Sequence, residues 1–136
     1  MAWYYTFNPP KEIGGDMNTK PGITNARSPA GRLGKYQLPF GPCWEASYSW
    51  LCYHEDPDVI KWIEDTVLAH FRSQAYGIGS GMTEWVVSTT WQEIRKFVLT
   101  ICKDNNITIQ DLGPGPWNPV KIEQELADYL KTTENN

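Results

Sequence analysis

The chain has 136 residues, which is enough for one compact domain and leaves little room for a second. Its hydrophobic content of 40% and charged content of 21% are those of a globular protein and exclude an intrinsically disordered chain. No run approaches the roughly eighteen apolar residues of a membrane-spanning helix, so we expect no membrane partner. The N-terminal residues lack the basic and apolar regions of a signal peptide, and we expect a cytoplasmic setting.

The net charge of −4 is distributed unevenly along the chain. Residues 1–36 carry five basic and two acidic side chains, whereas the remainder carries seven basic and fourteen acidic ones. The basic segment indicates a local anion site, and a chance fluctuation over so few charges gives the same pattern. Three widely spaced cysteines show no zinc-binding spacing, which predicts reduced and mostly buried thiols: Cys43, Cys52 and Cys102.

Three strands are predicted in the first half of the chain. Residues 2–7 are mostly aromatic or β-branched, with the odd-numbered side chains on one face and the even-numbered ones on the other. Residues 19–24 form a second short strand, in which Pro21 removes a ladder hydrogen bond and indicates an edge or a bulge. Residues 44–53 alternate again and place aromatic side chains on one face.

Proline and capping residues mark two helix starts beside these strands. Ser28–Pro29 predicts a short helix to about residue 36. Asp56–Pro57 predicts a longer helix, which the glycines of residues 77–81 end in a flexible loop. Apolar residues three and four apart predict the buried face of this helix: Ile60, Ile63, Val67, Leu68 and Phe71.

The rest of the chain is predicted to be mainly helical. Residues 84–87 read as a short extended piece, and Thr90 with Glu93 has the spacing of a capping box at the start of a helix. After a loop over residues 113–116, Asn118–Pro119 opens a last helix. Three positions are predicted to face inward along it: Ile122, Leu126 and either Tyr129 or Leu130.

This order of elements predicts an α+β domain. We expect a small three-stranded, mainly antiparallel sheet flanked by helices, with an extra C-terminal helix. Residues 1–105 would form the main domain, and residues 106–136 an appendix packed on the same domain.

Glu64 is the first candidate functional residue. It lies four residues from both Ile60 and Leu68, on the apolar face of its predicted helix. A carboxylate on that face requires a partner such as a metal ion, an arginine or hydrogen-bond donors. The alternative is a boundary residue whose side chain curls out to water.

Arg32 and Tyr36 are four residues apart on the predicted short helix and therefore share a face. The planar guanidinium of arginine suits a phosphate, because it donates two parallel hydrogen bonds. The alternative is a surface cation beside a core tyrosine. Tyr5, on the first strand, carries a hydroxyl with an ordinary pKa near 10, which a nearby cation would have to activate for catalysis.

Five segments, in order, resemble the motifs of GIY-YIG nucleases, most closely a phage-associated branch. The resemblance extends over residues 3–98, about two-thirds of the chain. Trp3 stands where the first motif has glycine, and Lys20 stands where many members have tyrosine. The segments are Trp3 to Phe7, Lys20 to Asn25, Arg32 to Tyr36, Glu64 with Phe71, and Glu84 to Val86.

The resemblance implies a metal-dependent DNA endonuclease domain over residues 1–105. Tyr5 would act as the general base, Arg32 would hold the scissile phosphate, and Glu64 would hold one Mg²⁺ or Mn²⁺ ion. Lys20 and Tyr36 would add catalytic contacts. DNA is the implied partner, the setting is a bacterial or phage-infected cell, and pairing of two copies into a homodimer is left open. Further contacts to substrate are implied for Gly22, Arg27 and Lys35.

Two alternatives remain at this level. The first is a catalytically inactive GIY-YIG-like module that binds nucleic acid or protein. The second is a cysteine-dependent hydrolase built on Cys43 with His54 or His70. In the second alternative Cys43 enters a predicted strand and lacks the helix dipole that lowers a thiol pKa.

Overall fold

The computed structural model describes residues 2–8, 18–26, 28–31, 33, 47–78 and 81–125, with the backbone alone at residues 18, 73–78 and 81–85. Residues 30–31 and 33 are helical, as is the segment 119–125. The other elements are β1 (Ala2–Phe7), β2 (Asn18–Thr24), β3 (Tyr48–His54), α1 (Pro57–His70), β4 (Ser73–Ile78), β5 (Gly81–Val87), α2 (Trp91–Asp104) and β6 (Gln110–Trp117).

The strands form one antiparallel sheet in the order β4-β5-β2-β1-β3-β6. The α+β class is confirmed, but the prediction of three strands is wrong. The three predicted strands are adjacent at the centre, and the part of the chain that the structure describes adds three more.

Strand β4 covers residues that were predicted to continue the helix and its glycine loop, because α1 ends at His70. Strand β5 includes residues 84–87, which were predicted to be extended, and β6 includes a predicted loop. Gly77 and Ile78 end β4, Gly81 begins β5, and residues 113–116 lie within β6. Glycine and proline disfavour strands, so the local sequence pattern predicted loops where the structure has strand residues. Pro114 and Pro116 are tolerated because β6 pairs only with β3 and forms an edge of the sheet, where missing donors cost little.

The central strand β1 is buried on both faces, and its alternation divides the interior into two clusters. We call the first the turn-side core; it contains Trp3, Tyr5, Phe7, Leu33, Tyr48, Leu51, Tyr53, Trp117 and Ile122. We call the second the helix-side core; it contains Ala2, Tyr4, Trp50, Cys52, Ile60, Ile63, Val67, Val86, Ile94, Val98 and Cys102.

Helices α1 and α2 begin where their capping residues predict. The side chain of Asp56 accepts a hydrogen bond from the backbone N–H of Asp58, with Pro57 in the first turn. Thr90 and Glu93 form a complete capping box, as predicted. Both helices place their buried residues in the helix-side core, so they cover the same face of the sheet.

The C-terminal part of the described chain belongs to the same fold. Strand β6 pairs with β3, and the predicted helix after Asn118 is present over residues 119–125. Trp117 and Ile122 fill the turn-side core. Leu126, Tyr129 and Leu130 lie outside the described residues. None of the described helices is long and apolar enough to cross a membrane.

Asp111 connects three elements of the fold. Its carboxylate accepts hydrogen bonds from the Trp50 indole at 2.8 Å and from the Arg95 guanidinium, linking β6 to β3 and α2. The backbone N–H of Gly113 donates a further one at 2.9 Å. Burial acts to raise the pKa of Asp111, but these hydrogen bonds outweigh it and hold the pKa below its ordinary value.

We expect Asp111→Asn to lower the free energy of unfolding by about 2 kcal/mol at pH 7, because the charged hydrogen bonds are weakened. The folded-state pKa lies below that of the unfolded chain, which is near 4. The stabilisation is therefore present above about pH 4 and is lost as the pH falls through the lower folded value. Urea unfolding of both proteins between about pH 7 and pH 3 measures this, and the difference between them should shrink on acidification.

The matched control is Asp65→Asn, which removes an exposed carboxylate in a surface ion pair with Lys61. It should change stability by less than about 0.5 kcal/mol. An equal loss in both variants would show that Asp111 has no special structural role.

Candidate functional site

Tyr5 lies directly opposite Gly22 in the β1–β2 pair. A Cβ atom added to Gly22 would lie less than 3.0 Å from the outer ring atoms and hydroxyl of Tyr5. The phenol end of Tyr5 therefore lies over Gly22, on β2. The ring also packs on Tyr48 with centroids 4.7 Å apart, and Tyr5 is only 2% exposed.

Lys20 shares a face of β2 with Gly22, because the two residues are two positions apart on one strand. Its ammonium donates to the backbone carbonyl of Pro21 at 2.7 Å. The structure thus brings Tyr5, Gly22 and Lys20 to one face of the β1–β2 pair.

The helical turn after β2 packs on this same face. Leu33 belongs to the turn-side core, and Ala30 packs against it. Tyr48 donates from its hydroxyl to the backbone carbonyl of Pro29 at 2.7 Å, which fixes the start of the turn. Four predicted site residues in and around this segment lie outside the described residues: Arg27, Arg32, Lys35 and Tyr36.

Glu64 lies on α1 and is partly exposed, with 20% of its side chain accessible. Its carboxylate accepts a hydrogen bond from Lys61 at 3.1 Å, and Lys61 pairs equally with Asp65. Hydrogen bonds from Lys61 to Asp65 and then to Glu64 raise the pKa of the lysine. The surroundings of Glu64 are those of a residue at the boundary between core and solvent.

Tyr5 and Glu64 belong to opposite faces of the sheet. Tyr5 is in the turn-side core, whereas α1 packs its apolar stripe into the helix-side core. The two side chains therefore do not share a cleft on one face of the sheet. They can meet only past an edge of the sheet.

Tyr4, which the sequence did not single out, is the tyrosine on the same face as Glu64. Its hydroxyl is fully buried and has no hydrogen-bond partner among the described residues. Burial raises the pKa of Tyr4 well above its ordinary value, and nearby Cys52 and Glu64 raise it further. The available signal was the alternation of β1, because even-numbered positions face the helices.

A metal ion at Glu64 would depend mostly on water for its ligands. No group of three or more His, Cys, Asp or Glu side chains that could hold a metal occurs in the described part of the chain. Mg²⁺ is commonly bound through one or two carboxylates with the remaining positions filled by water, so a single glutamate suffices. The surface ion pair with Lys61 would have to open, which costs little.

The surroundings of the described cysteines disfavour the thiolate form that a nucleophile needs. Burial raises the pKa of Cys52 well above its ordinary value and that of Cys102 to about 11. His54 accepts a hydrogen bond from the backbone of Asp56, and His70 stacks on Phe97 with ring centroids 4.1 Å apart. Cys43, the predicted nucleophile of the hydrolase alternative, lies outside the described residues.

Comparisons of the chain with models of protein families, with curated proteins and with solved structures gave no match. The GIY-YIG assignment therefore stays a prediction that rests on the motifs and their order.

We expect Gly22→Ala to lower the free energy of unfolding by about 2 kcal/mol, because the new methyl group displaces the buried Tyr5 ring. Gly31→Ala is the matched control, since a Cβ there meets nothing within 4 Å. In its helical turn it should be neutral or stabilise by about 0.5 kcal/mol. Urea unfolding measures both, and equal stabilities for the two variants would contradict the close Tyr5–Gly22 packing.

Proposed function

We propose that this chain is a metal-dependent DNA endonuclease of the GIY-YIG type. The observation that carries the proposal is the packing of Tyr5 over Gly22, with Lys20 and the turn that leads to Arg32 on the same face. Three of the motif positions named from the sequence thus lie on one face of the β1–β2 pair: Tyr5, Lys20 and Gly22. The helix that carries Glu64 follows β3, as the order of motifs implies.

The outer edge of β2 is where we place the scissile phosphate. Strand β5 pairs with β2 only at Asn18 and Thr19, so among the described residues positions 20–24 have a strand partner on the β1 side alone. The Tyr5 hydroxyl lies over Gly22, in the direction of that edge. Helix α1 covers the opposite face of the same strands, so the edge is the place where Tyr5 and Glu64 can act on one phosphate.

In this proposal each residue has a separate role in the hydrolysis. Tyr5, after losing its own proton to solvent, accepts the proton of the attacking water as the phenolate, and Arg32 holds the phosphate and stabilises its developing charge. Lys20 and Tyr36 add contacts to phosphate or water. Glu64 would hold Mg²⁺, which stabilises the negative charge on the leaving oxygen when it is bound. Substrate contacts by Gly22, Arg27 and Lys35, cytoplasmic action and pairing of two copies remain predictions from the sequence.

A second candidate is a non-catalytic module that keeps this sheet and binds nucleic acid or protein. Two observations favour it: Tyr5 is 2% exposed, and it lies on the opposite face from the helix that carries Glu64. A general base needs access to the water that it activates. Hydrolysis therefore requires the edge of β2 to open around Tyr5, whereas binding does not.

The deciding experiment is cleavage of supercoiled plasmid by the purified full chain with Mg²⁺, beside an EDTA control. We expect cleavage only with the metal, and a fall of at least about a hundredfold in Glu64→Gln, Arg32→Ala and Tyr5→Phe. Gel electrophoresis over time gives the rates and separates nicked from linear products.

Two matched controls sharpen this test. Asp65→Asn removes the neighbouring carboxylate that shares Lys61 with Glu64, and it should cleave normally. Tyr4→Phe removes the buried hydroxyl next to Tyr5 in the chain, which has no described partner, and it should fold at least as stably as the parent. Loss of cleavage in Tyr4→Phe, with normal cleavage in Tyr5→Phe, would indicate that the catalytic hydroxyl belongs to Tyr4, on the face of Glu64. Absence of cleavage by the folded protein, on plasmid and on branched DNA, would contradict the endonuclease and favour the non-catalytic binding module.

A further inference from the structure

A cavity of about 270 Å³ lies at one end of the sheet, next to the start of α2. Asn8, after β1, and Ser47 and Ser49, at the start of β3, contribute polar side chains. Trp91 and Pro116 contribute apolar surface. The volume equals that of roughly nine water molecules, so the cavity has room for one small ring system rather than for a large ligand.

The charge beside the cavity disfavours a phosphate as its ligand. The start of a helix ordinarily attracts anions through its free N–H groups. Here the capping box occupies this position: Thr90 accepts from the backbone of Glu93, and the Glu93 carboxylate accepts from the backbone of Thr90 at 2.7 Å. The carboxylate already satisfies the helix start and repels a second anion. A neutral ligand is favoured.

The side chains that line the cavity suit a planar ring with a hydrogen-bonding edge. The Trp91 indole is half-buried and offers a flat surface on which such a ring can stack. Ser49 is held in place, because its hydroxyl donates to the backbone carbonyl of Thr6 at 3.0 Å. A carboxamide such as that of Asn8 can both donate to and accept from the edge of a base.

The cavity lies near β2, the strand that carries Lys20. The amide of Asn8 donates to the Thr19 hydroxyl at 3.5 Å, and Thr19 precedes Lys20. Because neighbouring residues of a strand point to opposite faces, a DNA strand that contacts both Lys20 and the cavity would pass around the edge of the sheet.

We propose that this cavity binds one unpaired nucleobase of a DNA strand, stacked on Trp91. The inference deepens the proposed function, since it rests on DNA being the substrate. It adds a preference for single-stranded or locally opened DNA, because a base inside an intact duplex cannot reach a pocket of this kind.

The test is fluorescence anisotropy with a labelled single strand of about ten thymidines and a duplex of equal length, in EDTA so that no cleavage occurs. We expect Trp91→Ala to weaken binding of the single strand about tenfold and leave duplex binding unchanged. Trp91→Phe keeps an aromatic surface and should stay within about threefold of the parent. Ser47→Leu fills part of the cavity while keeping Trp91 and should weaken single-strand binding as Trp91→Ala does.

The matched control is Trp62→Ala, because Trp62 is also half-buried and also packs against the helix-side core. It should bind the single strand normally. Equal single-strand binding by folded Trp91→Ala and the parent, or an equal loss in Trp62→Ala, would overturn the inference. So would a parent protein that binds no single strand. Single-strand binding that depends on Trp91, without any plasmid cleavage, would support the nucleobase site and contradict the proposed endonuclease activity.

Discussion

The burial of β1 on both faces is the constraint on which the rest of the structure depends. All six residues from Ala2 to Phe7 are buried, and the strand lies between β2 and β3. Its large aromatic side chains alternate between the two cores, so each face must be closed by a separate part of the chain. Helices α1 and α2 close one face, while the turn at residues 30–33 and the segment after β6 contribute to the other. Burial of large rings on both faces supplies most of the hydrophobic stabilisation available to so small a domain.

The same alternation limits what the site can do. Neighbouring residues of a strand point to opposite faces, and Tyr4 and Tyr5 therefore have different surroundings although they are adjacent. Tyr5 meets a glycine and lies over β2, whereas Tyr4 meets the helices, Cys52 and the vicinity of Glu64. Of these two tyrosines, only Tyr4 lies on the face of Glu64. Chemistry that combines Tyr5 with Glu64 must pass around the edge of β2.

The composition of β6 explains why the sheet ends at this strand. Strand β6 carries Pro114 and Pro116, which lack the donors that a further strand would need. Asp111 holds this edge strand to Trp50 and Arg95 by charged hydrogen bonds, which replace part of the ladder that the prolines and register shifts interrupt. A polar side chain thus stabilises a strand whose own sequence disfavours it.

The sequence by itself determined the central strands, the start of both long helices and the buried stripe of α1, because these depend on local signals. Alternation, capping residues and apolar spacing act within a few residues. The register of β1 against β2, which the sequence does not show, set Tyr5 over Gly22 on the same face as Lys20. Only the tertiary structure decided that β4, β5 and β6 join the sheet, because pairing with distant strands outweighed the local preference of glycine and proline for loops. It alone placed Glu64 across the sheet from Tyr5, since which face a helix covers depends on how the chain crosses the sheet and not on the helix's own residues.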